Sequence, residues 1–425
     1  MTQAFARRTQ TEIFRAGASG TAPRIPTRWP SLLAAAERAM SPEAWAYVHG
    51  SSGLESTADA NAEAFARWRI VPRVLRDVSD RELGVTLFGH RYPTPLLASP
   101  VGVLELVDRD ADLAIARAAA SWGVPVILSN QASIPMERVA AEGGGGPRWF
   151  QLYWSSSDEL VASLVARAEG IGVDALVVTL DTQLLGWRPR DLDQAYLPFI
   201  HGMGIAQYTS DPVFRRLVAE RMAAAPAPGA PRPRVTPAAL RTLIGMTRRY
   251  PGRFAANLRS GEPRVAVETF LDVFSRSDLN WEDLPALRSL TSLPIVLKGI
   301  QHPDDARRAL DAGMDGLIVS NHAGRQLDGA IASLDALPGV VAAVDGRAPV
   351  LFDSGVRGGA DVFRAMALGA AAVCVGRPWV YGMSIAGEGG AREALRNLIA
   401  EFDLTLALSG HRSVAELSSD ALVRD

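Results

Sequence analysis

Residues 350–376 read VLFDSGVRGGADVFRAMALGAAAVCVG. A short apolar run stops at Asp353, a glycine-rich turn follows, and from Asp361 the apolar residues recur at helical spacing. Gly369 suits the end of that helix, and a second apolar run, Ala372–Val375, follows almost at once. The pattern is strand, loop, helix, strand. Such near-continuous apolar runs suit parallel strands covered on both faces. Cys374, the chain's only cysteine, lies in the second run and reads as a buried structural thiol. One thiol builds neither an intramolecular disulfide nor a zinc site.

Working outward, the unit recurs. Further strand candidates are Leu96–Ala98, Val126–Leu128, Trp149–Leu152, Ala175–Thr179, Ile295–Leu297 and Gly316–Val319, which with the two above make eight. Pro303, Asp304 and Asp305 open a helix that Gly313 can close. Eight strand–helix units predict an α/β fold, a TIM (β/α)8 barrel. An open doubly wound sheet would want a glycine fingerprint after its first strand, and LLASPVGVLE offers one Gly there. The run Gly143–Gly146 precedes a strand and reads as a loose loop. Two parts fall outside the repeat. Residues 1–90 form an N-terminal extension, with helical segments and an extended piece in 28–90 expected to pack over one end of a barrel spanning 91–425. Residues 186–290 form a long insertion after the fourth strand, expected to be a lid; it contains AAAPAPGAPRPRVTP, too rich in Pro and Ala for one regular element.

The 425 residues are 48% hydrophobic, enough for a large core, and 44 basic against 46 acidic residues argue against a nucleic-acid surface. No apolar stretch reaches the ~20 residues that span a bilayer, and no secretory h-region is visible, so a cytoplasmic protein is expected.

Barrel active sites sit at the C-terminal ends of the strands. The seventh and eighth ends, DSGVRGG and GRP, supply glycines and two arginines for a phosphate. Ser129, Gln151 and Thr179 suit a heteroaromatic ring, and Lys298 a fixed cation beside it. An FMN-like ligand fits, and so does a sugar phosphate; Lys298 also suits a Schiff-base aldolase. The sixth end, SNHAGR, sets His322 near Arg325. His322 is the candidate base, Asp181 its orienting carboxylate, and Arg325 with Arg188 or Arg190 a carboxylate clamp. A proton acceptor beside an anion holder suits an α-hydroxy carboxylate.

VSNHAGRQLDGA, VLKGIQHPDDARRALDAG, LFDSGVRGGADVFRAMALGA and VGRPWVYG resemble the FMN-dependent α-hydroxy acid oxidase and dehydrogenase family, over roughly residues 30–420. LVVTLDTQLLGWRPRDL, the insertion after it and Gly102 are most similar to the lactate 2-monooxygenase branch. The resemblance implies FMN as cofactor and His322 as base with Asp181 as its partner. It implies substrate contacts from Arg188, Arg325, Tyr47 and Tyr153, and flavin contacts from Pro100, Val101, Gly102, Ser129, Gln151, Thr179, Lys298 and Ser320. It implies a phosphate site of Asp353, Ser354, Gly355, Arg357, Gly376 and Arg377, with no metal. The expected activity is oxidation of an L-2-hydroxy acid by dioxygen, lactate to acetate, CO2 and water. The alternative is release of a 2-keto acid and H2O2 from a larger or more polar substrate. A homotetramer or homo-octamer is implied. A barrel isomerase or aldolase and a flavin carrier without catalysis are the rival readings. Two departures stand out. Ala323 replaces the family's usual Gly, so a left-handed position there would require a shifted loop. Gln131 stands where relatives carry Trp or another apolar residue.

Overall fold

Eight parallel strands close on themselves in chain order. They are β1 (Leu96–Ala98), β2 (Val126–Leu128), β3 (Arg148–Leu152), β4 (Leu176–Thr179), β5 (Ile295–Ile300), β6 (Gly316–Val319), β7 (Val350–Phe352) and β8 (Ala372–Val375). β8 returns to β1 through Cys374 beside Leu97. The computed structural model describes residues 4–224 and 236–425. Each strand is buried on both faces because alternate side chains serve two cores. Leu97, Ile127, Trp149, Val177, Val296, Ile318, Leu351 and Cys374 fill the barrel, while neighbours such as Leu96, Phe150, Leu297 and Phe352 pack under the surrounding helices.

β5 carries a register shift between Lys298 and Ile300, across Gly299 at φ 109°. A Cβ at Gly299 would lie 3.0 Å from Asp181 Cβ, so glycine lets the fourth and fifth strand ends approach closely.

The N-terminal segment covers both ends of the barrel, not one. Helices Pro42–His49 and Ser56–Ala66 lie over the C-terminal mouth, where Ser52 N donates to Gly324 O and Asn61 and Asn321 exchange amide hydrogen bonds. The hairpin Val85–Leu87/His90–Tyr92 closes the opposite end. Leu87 and Tyr92 join the barrel's inner cluster, and the Tyr92 hydroxyl donates to Asp174 while accepting from Trp149 Nε1.

The insertion is not simply a lid. Tyr208, Phe214 and Phe270 are fully buried, and Asp211 pairs with Arg167 at 3.0 Å. Gln207 accepts from Met136 N and Tyr208 from Asn130 Nδ2, which ties this part to the loop after β2. Most of AAAPAPGAPRPRVTP, residues 225–235, lies outside the described residues. Gly143–Gly146 is the loop before β3, as expected. No helix among the described residues is long and apolar enough to cross a membrane.

Candidate active site

Beyond β6 the chain makes a left-handed turn: His322, Ala323 and Gly324 have φ of 54°, 55° and 76°. This backbone costs roughly 1–2 kcal/mol for each residue bearing a Cβ. Ala323 therefore adopts the left-handed conformation and bears its strain. Hydrogen bonds hold it in place. Ala323 N donates to Ser354 Oγ at 3.0 Å, and His322 N to Ser320 Oγ at 3.1 Å. A Cβ on Gly324 would lie 2.7 Å from Ala58 N, so only glycine fits there.

The turn aims His322 Nδ1 at Asp181 Oδ1, 2.7 Å away. With the proton on Nδ1, facing the carboxylate, Nε2 is left as an acceptor. Burial lowers the imidazole's pKa and Lys298 adds to this, against the pull of Asp181. His322 is thus neutral at neutral pH. Burial pushes Asp181 upward, but His322 and Lys298 outweigh it and hold the carboxyl at about 2.

Lys298 sits on the cavity floor. Nζ donates to Ser320 Oγ at 3.0 Å and lies 3.2 Å from Asp353 and 3.9 Å from Asp181. Burial alone would discharge it, but the two carboxylates raise its pKa overall. A Schiff-base lysine needs the opposite shift, so the aldolase reading fails. Asp353 is also relocated. It accepts from Ser99 and Ser320 and buttresses Lys298, so it is a support for the cation and not a phosphate ligand.

Arg188 and Arg325 both line the cavity, Arg188 buried and Arg325 half-buried. Among the described residues neither forms an ion pair, and the Asp191 carboxylate acts on both only from beyond ion-pair range. Arg188 donates to Arg325 O and Gln326 Oε1; Arg325 donates to the carbonyls of Tyr47 and Gly50 and lies 5.1 Å over the Tyr47 ring. Burial, then the neighbouring Arg188, pushes Arg325 down to about 9. Two adjacent guanidinia with no carboxylate in ion-pair contact are costly and mark the seat of an anionic ligand. Arg190 pairs with Glu55 at 2.5 Å, which leaves Arg188 as the second arm of the clamp. Tyr47 and Tyr153 are buried on the same cavity wall.

The cavity, about 340 Å³, runs from this clamp to the ends of β7 and β8. Ser129 Oγ donates to Gln151 Oε1 and Gln151 Nε2 to Thr179 Oγ1, a polar ladder across three strand ends. Pro100, Val101 and Gly102 form another wall. At the far end Gly355 adopts φ 84° against Asn61, and a Cβ on Gly376 would rest in van der Waals contact with Ser99 and Val101. Arg357 leans on Asp361. The Arg377 fork donates to the carbonyls of Val48, His49 and Gly50, so its side chain ties down the N-terminal segment. The glycine loops and Arg357 here suit a flavin phosphate, and the polar ladder beside the Lys298 cation suits a flavin ring.

Sequence reasoning missed several wall residues. Thr182 donates to Asp181 Oδ1 at 3.0 Å; it directly follows Asp181, the one local signal available. Phe199, Phe274 and Leu185 come from the insertion and its approach. Phe199 and Phe274 flank the buried Phe270 at ring distances of 5.2 and 5.3 Å, an arrangement no spacing in the sequence announces. A Cβ at Gly102 would crowd Gln131 Cβ and O at 3.1 Å, so Gly102 and Gln131 are neighbours on the cavity wall.

A family model described as FMN-dependent dehydrogenase matches residues 36–424. An FMN-dependent alpha-hydroxy acid dehydrogenase of Penicillium citrinum is 42% identical over 416 residues, covering 98% of this chain and 95% of the relative. L-lactate oxidase of Lysinibacillus sphaericus is 39% identical over 379 residues, covering 89% and 88%. The crystal structure of mandelate oxidase with (S)-4-hydroxymandelic acid matches with TM-score 0.76 at 34% identity, covering 94% of this chain and 99% of that one.

Proposed function

The chain belongs to the FMN-dependent dehydrogenase family and is an FMN-dependent 2-hydroxy acid oxidoreductase; on that footing we propose that it oxidises an L-2-hydroxy acid with a side chain larger than the methyl of lactate, dioxygen being the final electron acceptor. The observation that carries this reading is the adjacent pair of cavity-lining guanidinia, Arg188 and Arg325, neither in an ion pair among the described residues, sharing a cavity with a neutral imidazole.

In this reading Arg188 and Arg325 hold the substrate carboxylate, and Tyr47 and Tyr153 complete the wall around it. His322 Nε2 takes the hydroxyl proton, and Asp181 stabilises the imidazolium that forms. FMN would be held by Pro100–Gly102, Ser129, Gln151, Thr179 and Lys298, with Gly355–Arg357 and Gly376 at its phosphate, and would supply the acceptor for the two electrons that leave with the α-hydrogen, dioxygen being the final acceptor. Lys298, kept charged by Asp353 and Asp181, supplies positive potential beside that acceptor. The products are a 2-keto acid and H2O2.

The side-chain end of the cavity supports a larger substrate. Phe199, Phe274 and Leu185 give it flat apolar walls, and the Gln131 amide faces it without a protein hydrogen bond among the described residues. An aryl group with one polar substituent, as in the (S)-4-hydroxymandelic acid bound to the related mandelate oxidase, suits such walls. A second reading rests on Gly102 and the LVVTLDTQLLGWRPRDL segment: the keto acid stays bound until it reacts with H2O2, giving an acid one carbon shorter, CO2 and water. The deciding experiment compares lactate with 4-hydroxymandelate. It measures anaerobic loss of flavin colour, then the aerobic products. Preference for the aryl acid with stoichiometric keto acid and H2O2 supports the first reading; acetate and CO2 from lactate supports the second.

A further inference from the structure

Thr182 has no part in the reaction as described, yet it sits where the catalytic pair is tuned. It is 6% exposed and lines the cavity. Its Oγ1 lies 3.0 Å from Asp181 Oδ1 and 3.3 Å from His322 Nδ1. Asp181 Oδ1 therefore receives two donors, the imidazole N–H and the threonine O–H. Asp181 Oδ2 receives none, although it is buried, and faces the Lys298 ammonium at 3.9 Å. The Tyr153 phenol lines the same cavity beside Thr182. A hydroxyl carries one proton and rotates freely, so when it turns from Asp181 it no longer donates to that carboxylate.

A carboxylate oxygen shared between two donors holds each less strongly than it would hold one. Resting on the assignment of His322 as base, we infer that Thr182 is a positioning residue: it takes up part of the Asp181 carboxylate so that His322 stays an acceptor until substrate arrives, then yields that oxygen to the imidazolium by rotating its O–H away. No bond is broken in this step. The His322–Asp181 contact becomes stronger as charge develops on the imidazole, which favours the transition state over the resting state. The charged groups facing His322 are Asp181 after β4, Lys298 on β5, Asp353 after β7 and Arg188 from the insertion. Thr182 is the neutral group that touches both members of the pair.

The test uses the FMN-loaded enzyme and its Thr182→Val, Thr182→Ala and Thr182→Ser variants. Two quantities are followed against pH: kcat/KM for anaerobic flavin reduction, and the Kd of the unreactive 2-keto acid product by calorimetry. Without the hydroxyl, Asp181 draws more strongly on His322. The acid limb of kcat/KM and the matching inflection in Kd should both move up by about one pH unit in the Val and Ala variants. Thr182→Ser should return both to within a few tenths of a unit of the parent. Uniform loss at every pH without a shift in either quantity overturns the inference, as does a Ser variant that behaves like Val. If the parent enzyme itself is not reduced by any 2-hydroxy acid, the assignment of function fails, a different outcome from an unshifted limb in an active enzyme.

Discussion

Asp181→Asn keeps the shape of the side chain and removes its charge, so it isolates what the carboxylate does. Asp181 accepts the Nδ1–H of His322 at 2.7 Å, and its pKa falls from 3.8 to about 2. At ~1.36 kcal/mol per unit, this corresponds to roughly 2 kcal/mol of folding stability at most. A depressed carboxyl contributes above its unfolded pKa, so the parent holds this stability above about pH 4 and loses it as pH falls toward 2. The variant lacks it at neutral pH. The catalytic loss is larger. If the amide turns its NH2 to Nδ1, the imidazole proton moves to Nε2 and the base is blocked. If it turns its oxygen, the imidazolium forms without a counterion. A charge pair ~4 Å apart at an effective dielectric of ~20 is worth about 4 kcal/mol, which is roughly a thousandfold in rate. Rapid anaerobic mixing with substrate should show that loss in the rate of flavin bleaching. KM should change little, because Arg188 and Arg325 hold the substrate. A variant within tenfold of the parent, or one impaired in KM alone, would refute the pairing as the source of basicity.

The lowered pKa of His322 sets the acid limb of the parent: kcat/KM, which reports the free enzyme, should stay level as pH falls through 6.5 and decline tenfold per unit only below it. A limb above 6.5 would contradict a buried, neutral imidazole. Ala323→Gly relieves a left-handed Cβ and should raise the melting stability by roughly 1 kcal/mol; a drop on thermal unfolding would show that no strain is stored there. Arg188→Met should raise KM for the hydroxy acid at least a hundredfold, as expected for removing one partner of a buried charged hydrogen bond, whereas Arg190→Met should stay within a few-fold because Arg190 is engaged with Glu55. Equal effects in a steady-state assay would undo the choice between the two arginines.

The barrel was legible because each strand is a local apolar run buried on both faces, and the polar residues at its end are adjacent in sequence. His322 and Arg325 fall on one strand end, and Asp181 on another, for the same reason. What the sequence left open depends on distant partners. The choice of Arg188 over Arg190 is made by Glu55, 135 residues before Arg190. Asp353 reads as part of a glycine-rich phosphate loop until Lys298 is found 3.2 Å away. The insertion reads as a lid because it is a long segment after a barrel strand. Its anchors, among them Tyr208 on Asn130 and Asp211 on Arg167, join residues 78 and 44 apart in sequence. Residues 85–92 carry only three-residue strands, too short to reveal that they close the far end of the barrel. The Ala323 turn was readable only as a conflict between a residue and a required φ, and the molecule resolves that conflict by bearing strain.

The central claim is that His322, Arg188 and Arg325 act together on one 2-hydroxy acid beside bound FMN. The most direct measurement mixes FMN-loaded parent and His322→Ala protein, without oxygen, with 4-hydroxymandelate, mandelate and lactate while the yellow colour is followed. The account predicts that the parent bleaches, fastest with the aryl acids, and that the variant stays yellow although it still binds the acids. A parent that keeps its colour with all three, or a variant that bleaches as fast as the parent, would contradict it.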